Sequence, residues 1–211
     1  MHISEGVLSG PVLGAGALAA LVGLGLSLPR LPWRHIMSAG IFSAAFFVAS
    51  LVHVPLGPGS VHLIMNGLLG AMLGWAAFPA ITVALFLQAL LFQFGGLTGL
   101  GVNASIMAWP AVLCGLLCRP FFARPGSRAP AAFVCGAMSV LLSGVLCATA
   151  LAASGDDFLT TAWTILLAHL PVLVIEGILT MCIVGYLARV LPELVLPPER
   201  EAAGTGGGHV L

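Results

Sequence analysis

Along its length the chain alternates long apolar runs with short punctuations of Pro, Gly and charge. A helix needs about 20 apolar residues to cross the hydrocarbon core of a bilayer. Runs of that kind lie at roughly 11–28, 35–54, 61–78, 79–96, 105–122, 131–153 and 161–190. The third and fourth are divided only by the stretch WAAFPAI, where Pro79 predicts a turn. The pattern predicts an all-α integral membrane protein, a bundle of about seven transmembrane helices. A membrane domain over residues 1–190 is followed by a polar, Gly-rich segment, 191–211, expected to be a disordered cytoplasmic tail.

Composition agrees with the pattern and narrows it. Of 211 residues, 60% are hydrophobic and only 7% charged, against about 25% in a soluble domain. Mean hydropathy is +1.13. Lysine is absent, and seven arginines balance seven acidic residues. A net charge of zero gives no support to nucleic-acid binding, which wants a basic stripe. No Gly-x-x-x-x-Gly-Lys-Ser/Thr loop is present, so energy from ATP would have to come through another subunit. The five cysteines, at 114, 118, 135, 147 and 182, lie inside apolar runs and read as buried thiols. Small-residue spacings such as Ala15/Ala19 and Gly70/Gly74 permit close helix approach, as in many apolar bundles.

The arginines orient the bundle. With seven spans, Arg30, Arg34, Arg119, Arg124, Arg128, Arg189 and Arg200 all fall on one side. The positive-inside rule makes that side the cytoplasm, with the N-terminus outside and the C-terminus inside the plasma membrane. The opening MHISEGVLSG has no basic residue and no evident cleavage site, so a secretory signal is not expected. His2 then stays in place, and a bulky second residue should leave Met1 with its own amine.

Ionisable groups within or beside membrane spans mark functional sites. His2, His53 and His62 all map to the outer side, the last two flanking the VPLGPGS turn. The Met1 amine, the His2 amide nitrogen once deprotonated and the His2 imidazole Nδ1 can close two fused chelate rings on one metal. A further imidazole can complete the plane, with His62 the first choice and His53 the reserve. Four nitrogens in a plane suit Ni(II) or Cu(II), and Co(II) as well, and are poor for Mg(II) or Ca(II). An interfacial His2 with no ligand is the alternative from composition alone.

Deeper in the chain, His169 and Glu176 are seven residues apart and so share a helix face. They read either as a hydrogen-bonded pair supporting the site or as a packing contact. Asn66 and Asn103 each could orient a ligand or tie a loop, and Asn66, one turn below His62 on the same helix face, is expected to orient. Gln88 and Gln93 flank the fourth run and carry less weight. His35, beside Arg34, and His209, in the tail, read as structural and bystander positions.

MHISEGVLSG at the chain start, PGSVHLIMNGLLGAMLG, LQALLFQFGGLTGLGVNASIM and HLPVLVIEGILT resemble, in that order, the marker stretches of one family. It is the CbiM/NikM family, the substrate-capture components of energy-coupling-factor transporters for cobalt and nickel. The likeness runs to about residue 190. It implies that Met1, His2 and the histidine of the SVH stretch, His62, hold Ni(II) or Co(II) in a roughly square-planar arrangement. It also implies an extra N-terminal span, a transmembrane coupling subunit, a pair of ATPase subunits and often a small accessory membrane subunit. Ser4, Val7 and Ser9 depart from the family's usual opening, none of them at a ligand position.

Two other classes are set against that reading. A stand-alone channel or permease needs a site weak enough to release its ion, which a three-nitrogen chelate is not. An enzyme or haem carrier lacks its motifs: no His-Glu-x-x-His occurs, and the histidines crowd one end.

Overall fold

The computed structural model describes residues 2–31, 33, 36–51, 53–56 and 59–195, with 53–56, 59–62 and 156 described by backbone alone. The helices are α1 (Gly10–Ser27), α2 (Ile36–Leu51), α3 (Asn66–Leu73), α4 (Ala77–Phe92), α5 (Leu100–Phe122), α6 (Pro125–Ala152), α7 (Leu159–Val190) and the short α8 (Pro192–Val195). Strands β1 (His53–Leu56) and β2 (Gly59–His62) form an antiparallel hairpin between α2 and α3.

Contacts between helices give their relative directions. Ser105 Oγ donates to Gly16 O and Trp109 Nε1 to Ala19 O, so α1 runs with α5. Ser43 Oγ donates to Ala80 O and Gln88 Nε2 to Ser50 Oγ, so α2 runs with α4. Asn66 Nδ2 meets Met107 O, and further on Gly74 approaches Arg119, so α3 runs with α5. Phe78 packs edge-on against Trp109 at 5.2 Å, while Gln88 and Asn103 share the far end, so α4 runs against α5. Asn66 bonds Ser143 while Gly67 O accepts from Cys135, which sets α6 against α3. Phe133 packs on Gly177 and the short 153–158 connection returns the chain, so α7 opposes α6. Odd-numbered segments from α1 to α7 therefore descend and even-numbered ones ascend.

Five stretches of the described residues are long and apolar enough to cross a membrane: Gly10–Arg30, Asn66–Phe92, Leu100–Phe122, Pro125–Ala152 and Leu159–Val190. Ile36–Leu51 is apolar but shorter, with 16 residues. Asn66–Phe92 is not one straight segment, because α3 and α4 run in opposite directions.

The reversal corrects the turn expected at Pro79. It sits instead at Gly74, whose φ of +56° and ψ of −121° suit only glycine. A Cβ there would also lie 2.8 Å from the Arg119 guanidinium. Pro79 lies in the first turn of α4, where its missing N–H has no intrahelical partner to lose.

The third apolar run is corrected as well. Residues 61–78 are not a continuous helix: the run opens in β2, and α3 has only eight residues, all of them buried. A helix apolar all round belongs in a core, and hydropathy alone does not distinguish that from a lipid-facing span. Gly70 lets α3 press on α5, since a Cβ would sit 1.8 Å from Ala111 O. By contrast α1 is peripheral and buries only Ala20, Gly23 and Ser27. Ordered chain also runs past residue 190, through α8 with Val195 buried. The remainder of the predicted tail, 196–211 with His209, and also Met1, Arg34 and His35, lie outside the described residues.

Candidate metal centre

Residues 2–9 fold back into the bundle at the end away from Arg30, Arg119, Arg124, Arg128 and Arg189. Ile3 and Leu8 are buried and supply the apolar anchorage, and His2 is only 6% exposed. Asn103, in the first turn of α5, holds the next residue at two points. Its Oδ1 accepts from Ile3 N–H at 2.9 Å and its Nδ2 donates to Ile3 O at 3.2 Å. Side-chain amides can imitate a strand partner in this way, because donor and acceptor stand side by side. Further along, Glu5 accepts from Thr98 Oγ1 at 2.9 Å, and Ser9 N–H donates to Ser154 Oγ at 3.2 Å.

The His2 imidazole is oriented from α4. Its Nε2 lies 2.9 Å from Gln88 Oε1. The Gln88 amide is itself locked, with Nε2 directed at Phe47 O (3.3 Å) and at Ser50 Oγ. A carbonyl oxygen only accepts, so the nitrogen of Gln88 must face α2 and its oxygen must face His2. His2 therefore donates through Nε2–H, and in the neutral ring Nδ1 carries the lone pair. Gln88 is the residue the sequence reading undervalued. Its signal was a polar side chain near the end of a run otherwise made of Ala, Leu and Phe.

The 93–99 connection closes over the tail. Phe94 stacks on Phe92 at 5.7 Å and tilts over the His2 ring at 6.4 Å. Gly95, at φ +73°, leaves room for Asn103, whose Nδ2 would otherwise lie 2.6 Å from a Cβ.

His53 and His62 are Cα partners, the first pair of the hairpin ladder. Such partners are about 4.5–5.5 Å apart. β1 begins three residues after Ser50, the hydroxyl that Gln88 bonds, so the hairpin leaves α2 at the level of the His2–Gln88 contact. Among the described residues, no three His, Cys, Asp or Glu side chains gather closely enough to hold a metal.

Other predicted positions fall elsewhere. Asn66 does not sit one helical turn beyond His62, since residues 63–65 are not helical. It ties α3 to its neighbours instead, donating to Met107 O and Ser143 Oγ while Oδ1 accepts from Gly67 N–H. His169 and Glu176 are not a hydrogen-bonded pair. His169 Nδ1 donates to Ile165 O within its own helix, at 2.6 Å. Glu176 Oε1 accepts from Ile64 N–H and from Met65 N–H, the latter at 2.7 Å. His169 Nε2 and Glu176 Oε2 have no partner among the described residues. Seven residues put both on the inward face of α7, but each satisfied a nearer backbone group first.

A multi-pass helical bundle with an oriented histidine buried at one end has the form of a membrane transport component. The chain belongs to the CbiM family, described as the cobalt uptake substrate-specific transmembrane region, which it matches over residues 2–194. It is 41% identical to a Haemophilus influenzae protein provisionally described as a metal transport protein, over 92% of this chain and 97% of that one. An Archaeoglobus fulgidus protein, provisionally described as the fused nickel transport protein NikMN, is 31% identical over 96% of this chain and 70% of its own length. A crystal structure of a transition metal transporter superposes with a TM-score of 0.79 at 27% identity, covering 90% of this chain and 93% of that one.

Proposed function

We propose that this chain captures Ni(II) or Co(II) from outside the cell through an N-terminal chelate and passes it to an ATP-driven complex. The ligands are the Met1 amine, the His2 amide nitrogen, His2 Nδ1 and an imidazole of the hairpin, His62 before His53. The observation that carries this reading is the His2–Gln88 contact. Occupying Nε2 with a buried acceptor keeps Nδ1 as the donor, and Nδ1 is the nitrogen that closes the second of the two fused rings, with its own amide. Outer partners of metal-bound histidines work in this way, by setting tautomer and ring direction.

Topology supports the same assignment. Seven alternating segments gather the described arginines (Arg30, Arg119, Arg124, Arg128 and Arg189) at one end, opposite His2. The positive-inside rule makes the arginine end cytoplasmic and the His2 end external. The capture domain extends through α8, beyond the expected boundary at residue 190, and the remainder forms a cytoplasmic tail. The chain has no nucleotide-binding loop, so a transmembrane coupling subunit, paired ATPases and a small accessory membrane subunit complete the machine. The fused Archaeoglobus relative, longer than this chain, accords with such an assembly.

The test compares purified full-length protein bearing its native N-terminus with a variant carrying one alanine between Met1 and His2. Every side chain is retained, yet amine, amide and imidazole lose their register. The native chain is expected to bind one Ni(II) or Co(II) without ATP, and the insertion to bind none. Binding should also weaken from pH 8 to 5.5, because amine and imidazoles must shed protons to ligate. Equal binding by both chains removes the N-terminal chelate.

A further inference from the structure

The chain between the hairpin and α3 is held in an unusual way. β2 ends at His62, and α3 begins at Asn66. Between them Met65 adopts φ +53°, ψ +12°, a left-handed conformation uncommon outside glycine. The amides at this point precede the helix and have no acceptor within it. Both are taken by one oxygen of Glu176, which is wholly buried on α7. The next residue, Asn66, is tied from the other side to α5 and α6.

A helix start normally finds its acceptor in a neighbouring Ser, Thr, Asp or Asn. Here the acceptor is a long carboxylate from another helix, more than a hundred residues away. Burying that group is costly, and its second oxygen has no partner among the described residues. A local cap would satisfy the amides without relating the hairpin to α7. Glu176 does relate them, and the positive end of the α3 dipole favours its charge. Ile64 follows His62 by two residues, so the anchor lies within about 7 Å of it along the chain.

Resting on the N-terminal chelate reading above, we infer that Glu176 is the positioning residue for His62. It sets the depth at which the hairpin leaves the bundle, and so the place at which the histidine meets the metal plane. It acts through the Ile64 and Met65 amides.

The experiment reads Ni(II) affinity and the ligand-field absorption band of the bound ion in detergent-purified full-length chain. Glu176→Leu removes the anchor, Glu176→Gln keeps a carbonyl acceptor, and His62→Ala removes the ligand. Glu176→Leu is expected to bind Ni(II) about 10–100-fold more weakly. Its band should move to longer wavelength, matching His62→Ala. Glu176→Gln should stay within about threefold of the native chain with the native band. The double variant should bind no more weakly than His62→Ala alone, since both act on one ligand. Additive losses, or a native band in Glu176→Leu, overturn the inference. If Glu176→Leu fails to fold, Glu176→Asp decides: one methylene shorter, it cannot span both amides, and native affinity and spectrum there overturn the inference equally. A native band in His62→Ala instead overturns the chelate reading on which the inference rests.

Discussion

The two arms that approach the proposed metal centre are held differently. The N-terminal arm is gripped by neutral amides at consecutive residues, Gln88 on the His2 ring and Asn103 on both backbone groups of Ile3. The hairpin arm is held by a carboxylate at its exit, where Glu176 takes the Ile64 and Met65 amides. Residues 2–9 precede α1 without helical structure of their own, so contacts with other elements set the direction of this arm and the rotation of its His2 ring. The hairpin is already tethered by α2 and α3 and paired from His53–His62 to Leu56–Gly59. It needs only its depth set. Ordering such a segment costs about 1–2 kcal/mol per residue in backbone entropy. Specific contacts crowd into residues 2–5 for that reason.

The comparison is broken most severely at Asn103. Asn103→Ala leaves a buried N–H and C=O of Ile3 without partners, at about 1–3 kcal/mol each. Metal affinity measured by calorimetry should fall on the order of 100-fold, with the absorption band of the residual complex unchanged. Undiminished affinity would mean that the arm is ordered by apolar burial of Ile3 and Leu8 alone.

Gln88→Leu comes next. It removes the acceptor for His2 Nε2–H and frees the tautomer, and the expected loss is about 10-fold. Because Gln88 also bonds α2 through Phe47 O, apo-protein melting should be followed alongside. A fall in melting temperature with no fall in affinity would assign Gln88 to helix packing and not to the site. The smallest effect is expected at the rim, where Thr98→Val removes an exposed hydrogen bond to Glu5. Affinity should change by less than about threefold. A larger change would extend the gripping contacts outward past Ile3.

Much of this arrangement was legible in the chain, and the residues that were not share a cause. His2 stood out because a titratable residue beside an apolar start is chemically conspicuous. Asn103 was visible as a polar residue in a Gly-rich connection, but its partner was a backbone, which carries no sequence signal. Gln88 looked marginal because its importance lies in two bonds made at once, to α2 and to His2. His169 and Glu176 shared a face, as their spacing required, yet periodicity says nothing about which nearer group each will bond. The run at 61–78 misled for a related reason. An apolar stretch that crosses the membrane and one that threads its protein core have the same hydropathy.

Local chemistry decides what each segment is able to be, and the residue order alone was enough for that: an apolar helical bundle, a histidine in the opening stretch, and membership of the CbiM family. Which segments run alongside one another was decided in three dimensions. Gly74, rather than Pro79, turns the chain because its neighbours leave no room for a side chain and demand a left-handed backbone. The grip on His2, Ile3, Ile64 and Met65 joins residues 86 to 112 positions apart. Contacts of that range form only when the packed helices bring their partners together, and they leave no periodic trace in the sequence.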